Sequence, residues 1–286
     1  MKTLRKLQIA QLYMIKEIAK ICEENHLRYY LCGGTLLGAV RHQGFIPWDD
    51  DLDITMYRED LEKLTRIIQE NYKDTFFVQN FDTDKNYARY ITKIRLNGTL
   101  QVEEDCSQDD MHQGIYIDIF PLDHVTKSDG FGLHFRGKML RLLFAYKTAR
   151  CTKNKQSTPL KMALIKLLKP FTYLIPNSAI NKMFDYVCSA TDKPGASYTT
   201  SFASHYLWKK QLVPNAVYGE GVLHKFENCE LRIPSDYTTL LVQLFGENYM
   251  DIPPVEKRNS GHVLVNVDLG KYEDIVCNID NALEEK

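Results

Sequence analysis

Apolar residues recur at helical spacing from the start of the chain. Leu4, Leu7, Leu12, Ile15, Ile18, Ala19 and Cys22 fall on one stripe, which predicts an amphipathic helix over residues 3–25. "RYYLCGG" then reads as a short strand ending in Gly33 and Gly34, and "TLLGAVRH" as a short helix capped by Thr35. Alternation in "DLDITMY" predicts a strand, and "REDLEKLTRIIQENY" a helix with acids in its first turn. "FFVQNF", "ARYITKIRLN" and "GIYIDIFPL" read as further strands, the last two separated by the polar loop "EEDCSQDDMHQG". Helical patterns return over about 131–150, 159–169 and 177–190, punctuated by Pro170, Pro176 and Pro194-Gly195. Beyond Tyr198, "YGEGVLHKFENCELRIP" suggests short strands. "SDYTTLLVQLFG" suggests a helix with Ser235 as cap and Gly246 at its end.

This order is an α+β pattern rather than regular βαβ alternation. It divides the chain into a mixed-sheet core (1–125), a helical section (126–195) and a mixed C-terminal section (196–286) that completes the core. The net charge of −1 gives no whole-molecule attraction to nucleic acid, but it hides an asymmetry. From Gly130 to Phe184 there are eleven Lys and Arg and no acid, so the rest of the chain carries a net charge of −12. A basic, apolar middle within an acidic body fits either ordinary core helices with solvated lysines or a helix lying on an anionic membrane surface. Seven cysteines without a C-x-x-C pair point to free thiols in a reducing compartment. The charged N-terminus lacks a signal-peptide core and no run reaches the length of a membrane span. The expected location is cytoplasmic, or peripheral to the inner face of a membrane.

The candidate chemistry lies in "FIPWDDDLDIT". Four aspartates, Asp49, Asp50, Asp51 and Asp53, sit between a tryptophan and an apolar strand. Alternation puts Asp51 and Asp53 on one face, with Leu52 and Ile54 toward the core. Two carboxylates so close stay ionised only if a cation or strong donors compensate, which is the pattern of Mg²⁺ held by carboxylates and substrate phosphate. Asp118 is a third acid, embedded in the apolar run "GIYIDIFPL", and it is costly there unless paired or metal-bound. Gly33, Gly34 and Thr35, at a strand-to-helix turn, can bring backbone amides close to a phosphate. Asp49 and Asp50 serve either as a solvated turn or as helpers of the loop.

"LCGGTLLGAVRHQGFIPWDDDLDI", with "KIRLNGT", "YIDIFPLD" and "LFGENYMDIPPVEKR", resembles the LicD-type transferases, which also include fukutin and fukutin-related protein. The resemblance covers the first 125 residues and a C-terminal patch, and leaves the basic middle unmatched. It implies a nucleotidyltransferase-like fold. It also implies transfer of a phosphorylated alcohol, most often phosphocholine, from a CDP-conjugate such as CDP-choline to a hydroxyl of a cell-surface glycan or its lipid-linked precursor. Teichoic acid, lipopolysaccharide and capsule are the acceptors it suggests, and ribitol or glycerol phosphate the alternative cargoes. Asp51 and Asp53 then match paired ligands of one or two Mg²⁺, with Mn²⁺ as the alternative, and Asp118 matches the third carboxylate. Gly33, Gly34 and Thr35 match the phosphate cradle.

On that basis the acceptor hydroxyl attacks phosphorus, CMP leaves, and Asp118 holds the second ion and takes the proton. Arg41, Lys93 and Arg95 neutralise the diphosphate, and Trp48, Tyr116 and Tyr90 form an aromatic box for choline. The gap from Gly34 to Asp51 is longer than in the shortest nucleotidyltransferase patterns and holds Arg41 and Trp48. The zinc-binding cysteines of some animal relatives have no counterpart. Among rival readings, "DLDIT" lacks the apolar strand that precedes the nucleophile of aspartyl-phosphate phosphatases. An Asp-x-Asp glycosyltransferase leaves Gly33-Gly34 and Asp118 unexplained, and an EF-hand lacks its glycine and closing glutamate. The non-enzyme alternative is an inactive metal-binding scaffold in glycan assembly.

Overall fold

Helix α1 (Thr3–Glu24) forms where the apolar stripe predicts it, and Leu7, Leu12, Ile15, Ile18 and Cys22 are wholly buried. The computed structural model describes residues 2–87, 89–104, 110–126, 131–151, 169–189, 196–204, 206, 208–259 and 261–284. The helix expected over 159–169 falls almost wholly outside them.

The central sheet runs β1 (Tyr30–Leu31), β2 (Asp53–Tyr57), β6 (Tyr116–Val125), β4 (Thr92–Leu96), β3 (Phe76–Gln79) in spatial order. The long strand β6 is its spine. Its first half pairs with β2 in parallel and with β4 antiparallel. Its second half pairs with β7 (Tyr198–Thr200), which pairs with β8 (Val213–Pro214). Helices α2 (Gly33–His42) and α3 (Arg58–Asn71) flank β2 in sequence. Two two-stranded antiparallel pairs lie apart: the hairpin of β9 (Val222–Phe226) with β10 (Cys229–Ile233), and the long-range pair of β5 (Leu100–Glu103) with β11 (Leu264–Asp268). Helices α4 (Phe131–Cys151) and α5 (Asn177–Ser189) pack together, followed much later by α6 (Tyr237–Phe245) and α7 (Glu273–Glu284). One mostly antiparallel mixed sheet with segregated helices is an α+β arrangement.

Three local expectations need correction. Gly33 and Gly34 open helix α2 instead of preceding it, and Cys32 occupies the cap position. The Thr35 hydroxyl caps nothing there; it accepts from the amide of Asp53 at 2.8 Å. Helix α6 is capped by Asp236, whose carboxylate accepts from the Thr239 amide, and not by Ser235. Strand β2 starts at Asp53, so Asp51 lies in the approach to the strand and pleat alternation does not govern it. The pairing of β5 with β11 joins residues about 160 apart, and it leaves no period-2 signal strong enough to read locally.

Two ion pairs tie the strands to their surroundings, one to a helix and one to the segment before β4. Arg58 at the start of α3 donates to Asp123 of β6 at 2.6 and 2.8 Å, and Asp123 is wholly buried. Glu103 at the end of β5 accepts from the Tyr116 hydroxyl at 2.5 Å and lies 3.5 Å from Arg89. Burial raises the Glu103 pKa, but Lys93 and Arg89 outweigh it and bring it down to about 2.

Replacing Arg58 by Ala removes the guanidinium from a buried carboxylate and is expected to cost about 3–5 kcal/mol. The urea midpoint should fall with an unchanged m-value; a loss below about 1 kcal/mol would contradict a tight buried pair. Glu103 gives a pH signature. Its folded pKa lies below the unfolded value of about 4.3. Its contribution is therefore complete above about pH 4.3 and is lost as pH falls toward 2. Glu103→Gln should flatten this acid limb in urea midpoints measured from pH 5 down to about 3. An equally steep limb in the variant would assign the acid loss to other carboxylates.

Candidate active site

The site is built by strand register. Asp53 of β2 stands opposite Asp118 of β6, and Asp118 stands opposite Lys93 of β4. Residues in register share a face, so these three side chains form one row across three neighbouring strands. Lys93 Nζ lies 2.6 Å from Asp118 Oδ1, off hydrogen-bonding angles, so the contact is ionic. The ammonium also sits 3.1 Å from the centroid of the Tyr116 ring. Burial brings the Lys93 pKa down to about 8, against the pull of Asp118.

The turn carrying Asp49, Asp50 and Asp51 folds over the start of α2. A Cβ on Gly34 would meet Asp49 Oδ2 at 2.8 Å, and one on Gly33 would meet Asp53 Oδ2 at 3.3 Å. Gly33 also has a positive φ of 54°. The two glycines thus let carboxylates approach the positive end of the helix. Buried glutamines of α1 fix the turn from below. Gln8 Nε2 donates to the carbonyls of Ile46 and Asp49, and Gln11 Nε2 to that of Asp50. A polar residue inside the apolar stripe was the available signal for these two, and the sequence reading passed over it.

So many acids in one place repel one another. Burial and then Asp51 push the Asp49 pKa up to about 8. Burial and then Asp118 push Asp51 up to about 6. Burial, Asp51 and Asp118 raise Asp53 well above the carboxylate range. Two buried oxygens, Asp53 Oδ1 and Asp118 Oδ1, have no hydrogen-bond partner among the described residues. The orphaned Asp53 oxygen and the mutual repulsion together are what a bound cation would relieve, beyond what Lys93 does for Asp118, so the residues fit a hard divalent ion.

Asp49, Asp51, Asp53, Asp118 and Gly34 form the acidic end of a cavity of about 840 Å³. Much of the remaining lining is aromatic and comes from the helices expected over 131–150 and 177–190 and from the segment after β7. Phe144 of α4, Phe184 of α5, and Phe202 and Trp208 beyond β7 line the cavity, with Tyr90 stacked on Phe184, while Tyr206 stands beside Gly33 and Asp53 at the acidic end. Gly137 of α4 makes room for Trp208, whose indole nitrogen would collide with a Cβ there. Arg89, Arg141 and His262 also line the cavity, and none was singled out from the sequence. Arg89 precedes β4 in irregular backbone, and Arg141 and His262 lie far from the acid motif in the chain.

Of the expected site residues, Gly33, Thr35 and Lys93 adjoin the acids without lining the cavity, and Arg41, Arg95 and Trp48 are taken up elsewhere. Arg41 donates to the carbonyls of Tyr249 and Asp251, which ties α2 to the segment after α6. Arg95 is buried and donates to Gln79 Oε1 and the Gly114 carbonyl, each at 2.6 Å. Trp48 packs on the main core, with Arg258 5.3 Å from its ring centroid. Of the aromatic residues expected around a quaternary ammonium, Tyr90 lines the cavity, while Tyr116 is buried beneath Lys93.

The sequence model described as LicD/FKTN/FKRP, nucleotidyltransferase domain, matches residues 26–163. That span holds Gly33, Gly34, the four clustered aspartates, Lys93 and Asp118. The chain is 26% identical over 268 residues to lipopolysaccharide cholinephosphotransferase LicD of Haemophilus influenzae, covering 91% of this chain and 96% of that protein. It is 48% identical over 44 residues to ribitol 5-phosphate transferase FKRP of Homo sapiens, covering 15% of this chain and 9% of FKRP. An uncharacterized protein of Rickettsia prowazekii shares 47% identity over 55 residues, 19% of this chain and 21% of that one. With the acid row inside the matched span and similarity to a cholinephosphotransferase along nearly the whole chain, residues 26–163 carry a domain of the LicD family.

Proposed function

We propose that the chain is a divalent-cation-dependent phosphotransferase with a nucleotidyltransferase-like core. It moves a phosphorylated alcohol, phosphocholine first, from a CDP-conjugate to a hydroxyl of a cell-surface glycan or its lipid-linked precursor, and CMP is released. One observation carries the reading: a buried row of Asp53, Asp118 and Lys93 at the acidic end of a cavity much of whose remaining lining is aromatic. The cavity volume is within the roughly 300–1,000 Å³ usual for small-molecule sites. Residues 1–125 supply the acids with Arg89 and Tyr90, 126–195 supply Arg141, Phe144 and Phe184, and 196–286 supply Phe202, Tyr206, Trp208 and His262.

Asp51, Asp53 and Asp118 are the residues that would hold Mg²⁺ or Mn²⁺. Bound there, the ion supplies charge neutralisation and polarisation of the diphosphate. The chain's own groups do the rest. Lys93 keeps Asp118 oriented by its ionic contact, and Asp118 accepts the proton of the attacking hydroxyl. Arg89, held by Glu103, and Arg141 face the diphosphate across the cavity. Tyr90, Phe144, Phe184 and Trp208 suit a quaternary ammonium better than a polyol, which favours choline over ribitol or glycerol as the alcohol.

The basic middle supports contact with an anionic membrane. In the turn after α4, Phe171 and Leu174 are 60% and 77% exposed, and Leu142 of α4 is 64% exposed. The Tyr146 hydroxyl donates to the Phe171 carbonyl, which ties that turn to the end of α4. No helix among the described residues is long and apolar enough to cross a membrane, so this contact would be peripheral.

CMP release should be measured from CDP-choline, CDP-ribitol and CDP-glycerol with a glycan acceptor. We expect release from CDP-choline that needs a divalent ion and falls at least about a thousandfold in Asp51→Asn and Asp53→Asn. Full activity in either variant would overturn the site, and preference for CDP-ribitol would overturn the cargo. In flotation, the chain should rise with phosphatidylglycerol vesicles and not with phosphatidylcholine ones. Phe171→Asp with Leu174→Asp should abolish this, and a wild-type chain that stays at the bottom removes the membrane contact.

A further inference from the structure

Beside the acid row lies a second group of ligating atoms that the proposed chemistry does not use. One oxygen each of Asp50 and Asp51 and a ring nitrogen of His262 all lie within 4.8 Å of one another. Asp50 is wholly buried, and its Oδ2 has no hydrogen-bond partner among the described residues. A buried carboxylate with an unused oxygen is costly unless a cation meets it. His262 Nδ1 lies 3.3 Å from Asp50 Oδ1, longer than the roughly 2.7–2.9 Å of a charge-assisted hydrogen bond. The two groups are joined by this long hydrogen bond, which leaves Asp50 Oδ2 unused.

We propose that Asp50, Asp51 and His262 form a second cation site that shares Asp51 with the first and takes a first-row transition cation such as Mn²⁺ in preference to Mg²⁺. The donor set is the reason. Asp53 and Asp118 offer oxygens alone, which suit a hard ion, whereas an imidazole nitrogen raises affinity for transition ions with little effect on Mg²⁺. Rigid elements place all three residues. Gln11 holds the Asp50 carbonyl at 3.0 Å. His262 stands just before β11, which is anchored by its pairing with β5 and by a bond from the Glu104 amide to the Val263 carbonyl. Donors preorganised in this way need little rearrangement to close on an ion. Occupancy would also clamp the C-terminal section onto the core, because His262 lies 212 residues from Asp50 in the chain. The inference rests on the proposed metal dependence only in that Asp51 serves both sites.

The test is binding of Mn²⁺ and of Mg²⁺ to the full chain by calorimetry, with pulsed electron paramagnetic resonance on the Mn²⁺-loaded protein. The expected result is a ¹⁴N coupling from a directly bound imidazole. His262→Gln should abolish it and weaken one class of Mn²⁺ sites by more than about tenfold, with Mg²⁺ affinity nearly unchanged. Asp50→Asn, which keeps the imidazole, should weaken the same class. Absence of the ¹⁴N coupling in the wild-type protein overturns the proposal without reference to any variant. So does equal Mn²⁺ affinity in wild type and folded His262→Gln. Failure of the transferase reading shows separately, as metal-independent or absent CMP release from a protein that still gives the nitrogen coupling.

Discussion

The site depends on the register of β2, β6 and β4. Parallel pairing places Asp53 against Asp118, and antiparallel pairing places Lys93 against the same carboxylate. A slip of one residue on β2 would bring Ile54 to the polar face and send Asp53 into the core. That slip is opposed by Leu52, Ile54, Ile117, Ile119 and Ile94, all wholly buried on the other face. The same apolar packing that stabilises the sheet therefore fixes where the charges go. Chemistry and stability are not separate layers here, because the alternation of one strand sets both.

Burying five acids near two cations leaves the turn electrostatically incomplete. The raised pKa values of Asp49, Asp51 and Asp53 express that deficit, and Lys93 and His262 offset only part of it. The fold tolerates the arrangement through neutral donors and dipoles. The start of α2 lies under Asp49 and Asp53, with glycines that let the carboxylates close in. Gln8 and Gln11 reach up from α1 to the carbonyls of the turn, so the loop holds its shape whether or not its charges are compensated. A turn fixed by uncharged partners can keep its carboxylates aimed at a ligand instead of at one another.

Much of this was legible in the sequence where the signal was periodic or local. The helix at 3–24, the helix after β2 and the apolar frame of Asp118 follow from spacing alone, and Asp51, Asp53 and Asp118 do converge. The rest depended on long-range contacts. Lys93 and Arg95 occupy one strand face, yet Lys93 meets Asp118 while Arg95 is taken up by Gln79 and Gly114, a choice made by strand β3 and the loop before β6. Arg41 is two helical turns beyond the glycines, but Tyr249 and Asp251 capture it from 208 and 210 residues away. Arg89, Arg141 and His262 had no motif to mark them, because what makes them cavity residues is the packing of α4, α5 and the strand after them.

The cavity therefore has two ends of different origin in the chain. The acidic end comes from residues 34–118, and most of the aromatic end from residues 137–208. A short, strong similarity to a ribitol 5-phosphate transferase and a long, weaker one to a cholinephosphotransferase carry different information on such a molecule. The 44-residue match is too short to cover both ends of the cavity. The 268-residue match takes in 91% of the chain, so it must include most of the aromatic wall as well. On the proposed reading the chemistry of phosphoryl transfer belongs to the acids, whereas the choice of alcohol belongs to whatever surface its non-reacting part touches. On physical grounds the second similarity bears on the cargo, and an aromatic surface facing a cluster of carboxylates suits a cationic alcohol.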